Sequence, residues 1–140
     1  MDVHSEYVRS FNMSKIKGRD TKPEMIVRKF IHSKGLRYRL HQKKLSGKPD
    51  LYFPKYRIAV EIRGCFWHGH ENCRYFVLPK TRTEWWTAKI FKTKERDYAN
   101  EMRLLSEGIR TIVVWECSLK KDKINDTLKN LFYEITNGNV

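Results

Sequence analysis

A mixed β-sheet flanked by α-helices is the α/β fold class this sequence predicts. Three observations point there. Segments of helical period begin after residue 20, recur in the middle and close the chain; short runs rich in β-branched and aromatic residues lie between them; and the last such run follows a helix-length segment.

The first helix begins at Thr21-Lys22-Pro23-Glu24, a capping-box pattern with proline in the first turn. Met25, Ile26, Phe30 and Ile31 give it an apolar face, and Gly35 is a natural stop. Residues 38–40, 50–53 and 56–62 read as short strands, the last two joined by a tight Pro54-Lys55 turn as a hairpin. Residues 74–83 form a loop, and residues 84–107 have helical character, as one helix or two segments, closed by Gly108. Residues 109–115 make a buried-type strand, and Ile124, Leu128, Leu131 and Ile135 supply one face of a final helix. The expected order is α-β-β-β-α-β-α. Residues 1–20 are polar and basic without a sustained period; they are expected to form an arm ahead of a single domain over residues 21–140.

The 140 residues carry a net charge of +13, and the excess is uneven: residues 1–48 hold thirteen Lys or Arg against four Asp or Glu. Such a surface favours a polyanion through counterion release, and nucleic acid is the expected ligand. No run of about eighteen apolar residues exists to span a membrane. Residues 1–6 lack a basic segment leading into an apolar one, so the expected location is the cytoplasm, at the nucleoid. There, cysteines more often bind metal or act as nucleophiles than form disulfides.

Pro49-Asp50 opens one strand of the hairpin and Glu61-Ile62-Arg63 closes the other. That pairing brings Asp50 and Glu61 to one rim of the sheet, where two carboxylates and a main-chain carbonyl suit Mg²⁺. A plain alternative is an aspartate closing a turn and a surface Glu61–Arg63 pair. Arg63 stays protonated, so it can hold a phosphate but cannot act as a base.

The stretch Gly64-Cys65-Phe66-Trp67-His68-Gly69-His70-Glu71-Asn72-Cys73 concentrates two thiols, two imidazoles and two large aromatics. Cys65, His70, Cys73 and Cys117 would make one Cys₃His zinc site, closed and therefore structural, that uses every cysteine of the chain. The alternative is three small buried hydrophobes. His68 competes with His70 as the fourth ligand; if His70 binds the ion, His68 is left free for proton transfer. Trp85 and Trp86 are expected to serve the core, whereas Phe66 and Trp67 lie in a polar loop.

Together these residues resemble the Vsr endonucleases, the very-short-patch repair family that nicks DNA at T:G mismatches. The segments that carry the resemblance are Arg9-Ser10-Phe11-Asn12-Met13-Ser14-Lys15-Ile16, Gly18-Arg19-Asp20-Thr21, Gly47-Lys48-Pro49-Asp50, Gly64-Cys65-Phe66-Trp67-His68, Thr81-Arg82-Thr83-Glu84-Trp85-Trp86, Glu95-Arg96-Asp97 and Val114-Trp115-Glu116-Cys117. They stand in family order between residues 9 and 117.

The resemblance implies a restriction-endonuclease-like fold, a structural Zn²⁺ and Mg²⁺-dependent cleavage of double-stranded, mismatched DNA. It makes Asp50 the metal-binding carboxylate, with the main-chain carbonyl of Ile62 beside it. His68 matches the catalytic histidine, Asp97 the carboxylate that supports it, and Glu24 an acidic residue that orders metal-bound water. Met13, Phe66 and Trp67 match the side chains that wedge into the base stack. Zinc carries over to Cys65, His70, Cys73 and Cys117. A MutL-type repair partner and a monomeric enzyme are also implied.

Two departures from the family pattern stand out. Glu61-Ile62-Arg63 replaces a non-acidic residue, Thr and His, which makes Glu61 a second candidate ligand for the ion. Gly69 and Glu71-Asn72 replace a histidine-rich run, with one extra residue before Cys73. The other readings are a restriction-type enzyme that cuts both strands of matched DNA, and a zinc-stabilised DNA-binding module without catalysis.

Overall fold

The computed structural model describes residues 20–137. Met13 and the arm ahead of Asp20 lie outside them. The described residues form three helices around a four-stranded mixed sheet: α1 (Lys22–Ser33), β1 (Arg39–Leu40), β2 (Leu51–Phe53), β3 (Ile58–Arg63), α2 (Thr83–Ser106), β4 (Arg110–Trp115), a 3-10 turn (Glu116–Leu119) and α3 (Ile124–Asn137). The strands lie in the order β1-β2-β3-β4. β1 and β2, and β2 and β3, pair antiparallel, and β4 joins β3 in parallel through the crossover helix α2.

Local chemistry sets each boundary. The Thr21 hydroxyl accepts from the Glu24 amide, capping α1. The expected reciprocal bond is shifted by one residue, because Glu24 Oε1 accepts from the amide of Asp20. The far end is a Schellman closure: Gly35, at φ +76°, donates to His32 O, and Leu36 donates to Ile31 O. The hairpin turn is longer than expected. Residues 54–57 form it, with Arg57 at φ +53° and its guanidinium donating to the carbonyls of Glu107 and Gly108. The helical segment after residue 82 is one unbroken helix, since no proline or glycine interrupts it.

Strand alternation divides the interior. Leu51, Phe53, Ile58 and Val60 pack with Ile112 and Val114 against Val27 and Ile31 of α1 and Leu128, Leu131 and Ile135 of α3. Each fully buried aliphatic of this core contributes about 1.5–3 kcal/mol. The other sheet face meets α2 through a thinner cluster of Ala59, Leu104 and Ile109. Along β3 this second face turns from Ala59 to Glu61 and then Arg63, and Arg63 pairs with Glu101 of α2. The sheet is thus apolar under one end of α2 and charged under the other, where a cleft opens.

Candidate functional site

The cleft has a volume of about 1250 Å³, and its floor is lined by His41, Asp50, Glu61, Ile62, Arg63, His68 and Asp97. Exposed Lys43, Lys44, Lys48, Arg96 and Arg103 form its rim. An acidic floor inside a basic rim suits a phosphodiester backbone, drawn in by the lysines and arginines and met below by groups that can hold a cation.

Asp50 stands just ahead of β2 and is tied to the end of β3, because its Oδ2 accepts from the Ile62 amide at 2.8 Å. Burial first, then the neighbouring Glu24 and Glu61, push its carboxyl from 3.8 up to about 6, against the opposing Ile62 amide and His41. Glu24 sits in the first turn of α1, only 2% exposed. Its carboxylate meets Arg28 at 3.4 Å and His41 Nε2 at 3.1 Å.

His41 was not singled out in the sequence. The β1–β2 register pairs Leu40 with Leu51, and the His41 amide donates to the Asp50 carbonyl, which brings the ring to Asp50. Residue spacing alone does not reveal that register across the intervening loop. Donor atoms of Glu24, His41 and Asp50 all lie within 4.8 Å of one another, so these three residues could share a metal ion.

Glu61 is turned elsewhere. Its Oε1 accepts from both Nε and an η nitrogen of Arg63 at 3.3 Å. Arg63, 7% exposed, also meets Glu101 at 3.4 Å. Burial raises the Glu61 carboxyl, with Arg63 opposing and Asp97 and Glu101 adding to the rise. The plain alternative, a Glu61–Arg63 pair, is what forms, although beneath the surface.

His68 projects from a tight turn in which His68 N–H donates to Gly64 O, Gly69 N–H to Phe66 O and His70 N–H to Cys65 O. Its Nδ1 lies 2.7 Å from Asp97 Oδ2, a residue of α2 that is 8% exposed. A carboxylate only accepts, so Nδ1 donates, and in the neutral ring Nε2 carries the lone pair. Gly69 is required beneath the turn: at φ +60°, a Cβ there would come within 2.6 Å of Ile90 Cγ2 and Lys94 Cε.

Cys65, His70, Cys73 and Cys117 converge with their ligand atoms within 4.8 Å. His70 Nδ1 stands 3.5 Å from Cys117 Sγ. A zinc tetrahedron with ordinary Zn–N and Zn–S bonds has an N···S edge of about 3.5 Å, so the donor set and spacing fit that ion. Burial keeps the His70 imidazole neutral by lowering its pKa, as ligation needs. Burial and the neighbouring thiols raise Cys65 to about 12. For Cys73, desolvation is outweighed by the amides of Tyr75 and Phe76 and by the other two thiols, and its pKa falls. His70 also stacks flat on Trp115, centroids 4.0 Å apart.

Phe66 and Trp67 are half-buried at the mouth of this turn, both edge-on or tilted to Trp86 with centroids 5.3 and 5.9 Å away. The expectation that both Trp85 and Trp86 pack in the core holds only for Trp86, which is 4% exposed. Trp85 is 43% exposed, because it sits about a quarter turn around α2 from its neighbour, and Arg82 lies over its ring.

A family model described as DNA mismatch endonuclease Vsr matches residues 1–74. The chain is 46% identical over 135 residues to the Type II nicking enzyme V.NmeAIP of Neisseria meningitidis serogroup A, covering 96% of both chains. It is 45% identical to the Type II nicking enzyme V.XorIIP of Xanthomonas oryzae pv. oryzae, over 79% of this chain and 81% of that one. To the DNA mismatch endonuclease Vsr of Escherichia coli K12 it is 41% identical, over 89% of this chain and 80% of the relative. The chain therefore belongs to the Vsr family of DNA mismatch endonucleases.

Proposed function

We propose that this protein nicks one strand of duplex DNA at a T:G mismatch by Mg²⁺-dependent hydrolysis of a phosphodiester. One observation carries the reading: the His68–Asp97 pair, joined at 2.7 Å, lines the same cleft as Asp50. A general base and a cation-holding carboxylate thus face one cleft.

Asp97 fixes the ring of His68 and leaves Nε2 free to take a proton from the attacking water. It also stabilises the imidazolium that forms. Asp50 would hold the divalent ion, with the Ile62 carbonyl beside it. In an antiparallel pair a residue's N–H and C=O leave the same edge, and the Ile62 amide already faces Asp50. Such an ion supplies Lewis-acid polarisation of the phosphodiester. Glu24, held by Arg28 and His41, would order water at that position, while Glu61 keeps Arg63 poised near the scissile phosphate.

Zn²⁺ on Cys65, His70, Cys73 and Cys117 would close the loop that carries Phe66, Trp67 and His68 between its ligands. Wedging and proton transfer therefore depend on one staple. Phe66 and Trp67, with Met13 from the arm, would part the stack beside the mismatch, which costs least where pairing is weak. No helix among the described residues is long and apolar enough to cross a membrane. The same reading places the protein in the cytoplasm at the nucleoid, as a monomer working with a MutL-type repair protein.

The test is strand-resolved cleavage with Mg²⁺ of short duplexes that carry T:G, T:A or C:G in varied flanking sequence. A nick only in the T strand of the mismatched duplex is expected. Cleavage of both strands of matched DNA would refute it in favour of a restriction-type enzyme. Salt-sensitive binding with no product on any duplex, across all flanking sequences, would leave a non-catalytic module.

A further inference from the structure

Resting on the ion site just proposed, we infer that His41 Nε2 is a direct ligand of the divalent ion, and that Glu24 then ligates the ion directly rather than through water, completing with Asp50 a three-donor face that prefers Mn²⁺ to Mg²⁺. Donor spacing is the first argument. His41 Nε2 stands 3.1 Å from Glu24 Oε2 and 3.8 Å from Asp50 Oδ1. Adjacent ligands of an octahedral ion with bonds near 2.1 Å lie about 3 Å apart, so one small inward movement of Asp50 forms such a face.

Charge is the second argument. Arg28 is shared between Asp20 and Glu24, and Arg63 between Glu61 and Glu101. Asp50 meets no arginine or lysine among the described residues; its one ion-pair partner there is His41. The floor therefore holds more carboxylate than cation, and a divalent ion would correct the imbalance.

The imidazole is also uncommitted on its other side. His41 Nδ1 is buried without a hydrogen-bond partner among the described residues. In the ion-free chain Nε2 donates its proton to the Glu24 carboxylate at 3.1 Å, and the ion would take the position of that proton between the two groups, the ring's proton moving to Nδ1.

An all-oxygen site suits Mg²⁺, whereas an imidazole in the set shifts preference along the series toward transition metals. This imidazole enters from the end of β1, a place the carboxylate motif does not include.

Mn²⁺ alone is the probe, added to the full chain with its cysteine cluster already loaded with zinc. Loss of the free-ion paramagnetic resonance signal gives its affinity, and competition gives that of Mg²⁺. Pulsed measurement on the bound Mn²⁺ is expected to show nitrogen modulation from a ligated imidazole, present in the parent and in His68→Gln and absent in His41→Gln. His41→Gln should weaken Mn²⁺ binding about tenfold or more while changing Mg²⁺ binding less. Bound Mn²⁺ without nitrogen modulation in the parent would overturn the inference and leave the Asp50 site standing; that result needs no variant to fold. Unchanged Mn²⁺ binding in Asp50→Asn would overturn the underlying ion site as well.

Discussion

Replacing Asp50 with asparagine is expected to stabilise the magnesium-free protein near pH 8 while abolishing nicking. Burial and the carboxylates of Glu24 and Glu61 raise Asp50 from 3.8 to about 6. Each pH unit corresponds to 1.36 kcal/mol, so holding this carboxyl ionised in the folded chain costs about 3 kcal/mol. The sign follows from the direction. A folded-state value above the unfolded one means the folded protein binds the extra proton, so stability rises as pH falls through about 6 and levels off below 3.8.

Asparagine carries no charge and keeps an oxygen to accept from the Ile62 amide. The expected gain is about 3 kcal/mol at pH 8, falling to about 1.5 kcal/mol at pH 5. Urea denaturation of both zinc-loaded proteins across that range, with Mg²⁺ omitted, measures it, and effects common to both cancel in the difference. Added Mg²⁺ should then stabilise the parent and not the variant, since only a folded state that binds the ion gains from it. An asparagine variant less stable than the parent at pH 8, or a difference independent of pH, would refute the reasoning.

His68→Ala should lower the nicking rate about 10²–10⁴-fold with DNA affinity nearly unchanged, and Asp97→Asn should do the same through the wrong tautomer; single-turnover kinetics beside a binding isotherm separates the two effects. Trp67→Ala should slow nicking of a T:G duplex roughly 10–100-fold at temperatures where its melting curve shows the variant fully folded, because the lost step is unstacking of DNA. Cys117→Ser should lower thermal stability and abolish zinc retention measured by metal analysis, since one ligand of four is lost and structural zinc supplies folding energy. Gly69→Ala should destabilise by about 1–3 kcal/mol, as its Cβ meets the buried Ile90 from a left-handed backbone; a melting temperature equal to the parent's would contradict that packing.

Features governed by neighbours in the chain were legible in the sequence. Thr21 and Gly35 mark the ends of α1 because a cap and a left-handed glycine act within one turn. Asp50 and the end of β3 meet because a hairpin folds its own strands together, and Cys65, His70 and Cys73 share a short loop. Family membership was legible for a related reason: it rests on the order and identity of motifs.

Tertiary structure decided the rest. The sequence separations of 29 from His68 to Asp97, and of 47 from His70 to Cys117, are bridged by the packing of α2 and β4. Glu61 pointed to metal in the sequence, yet pairs with Arg63, because alternation along β3 sets both on the face beneath α2. Trp85 and Trp86 are equivalent in composition; the rotation at which α2 docks buries one and exposes the other. His41 carried no local signal, and only the β1–β2 register, with α1 laid across it, brings it to Glu24 and Asp50. Local chemistry determined where each element begins and what it carries, whereas the site is assembled by contacts distant in sequence, whose partners are chosen by packing of the whole chain.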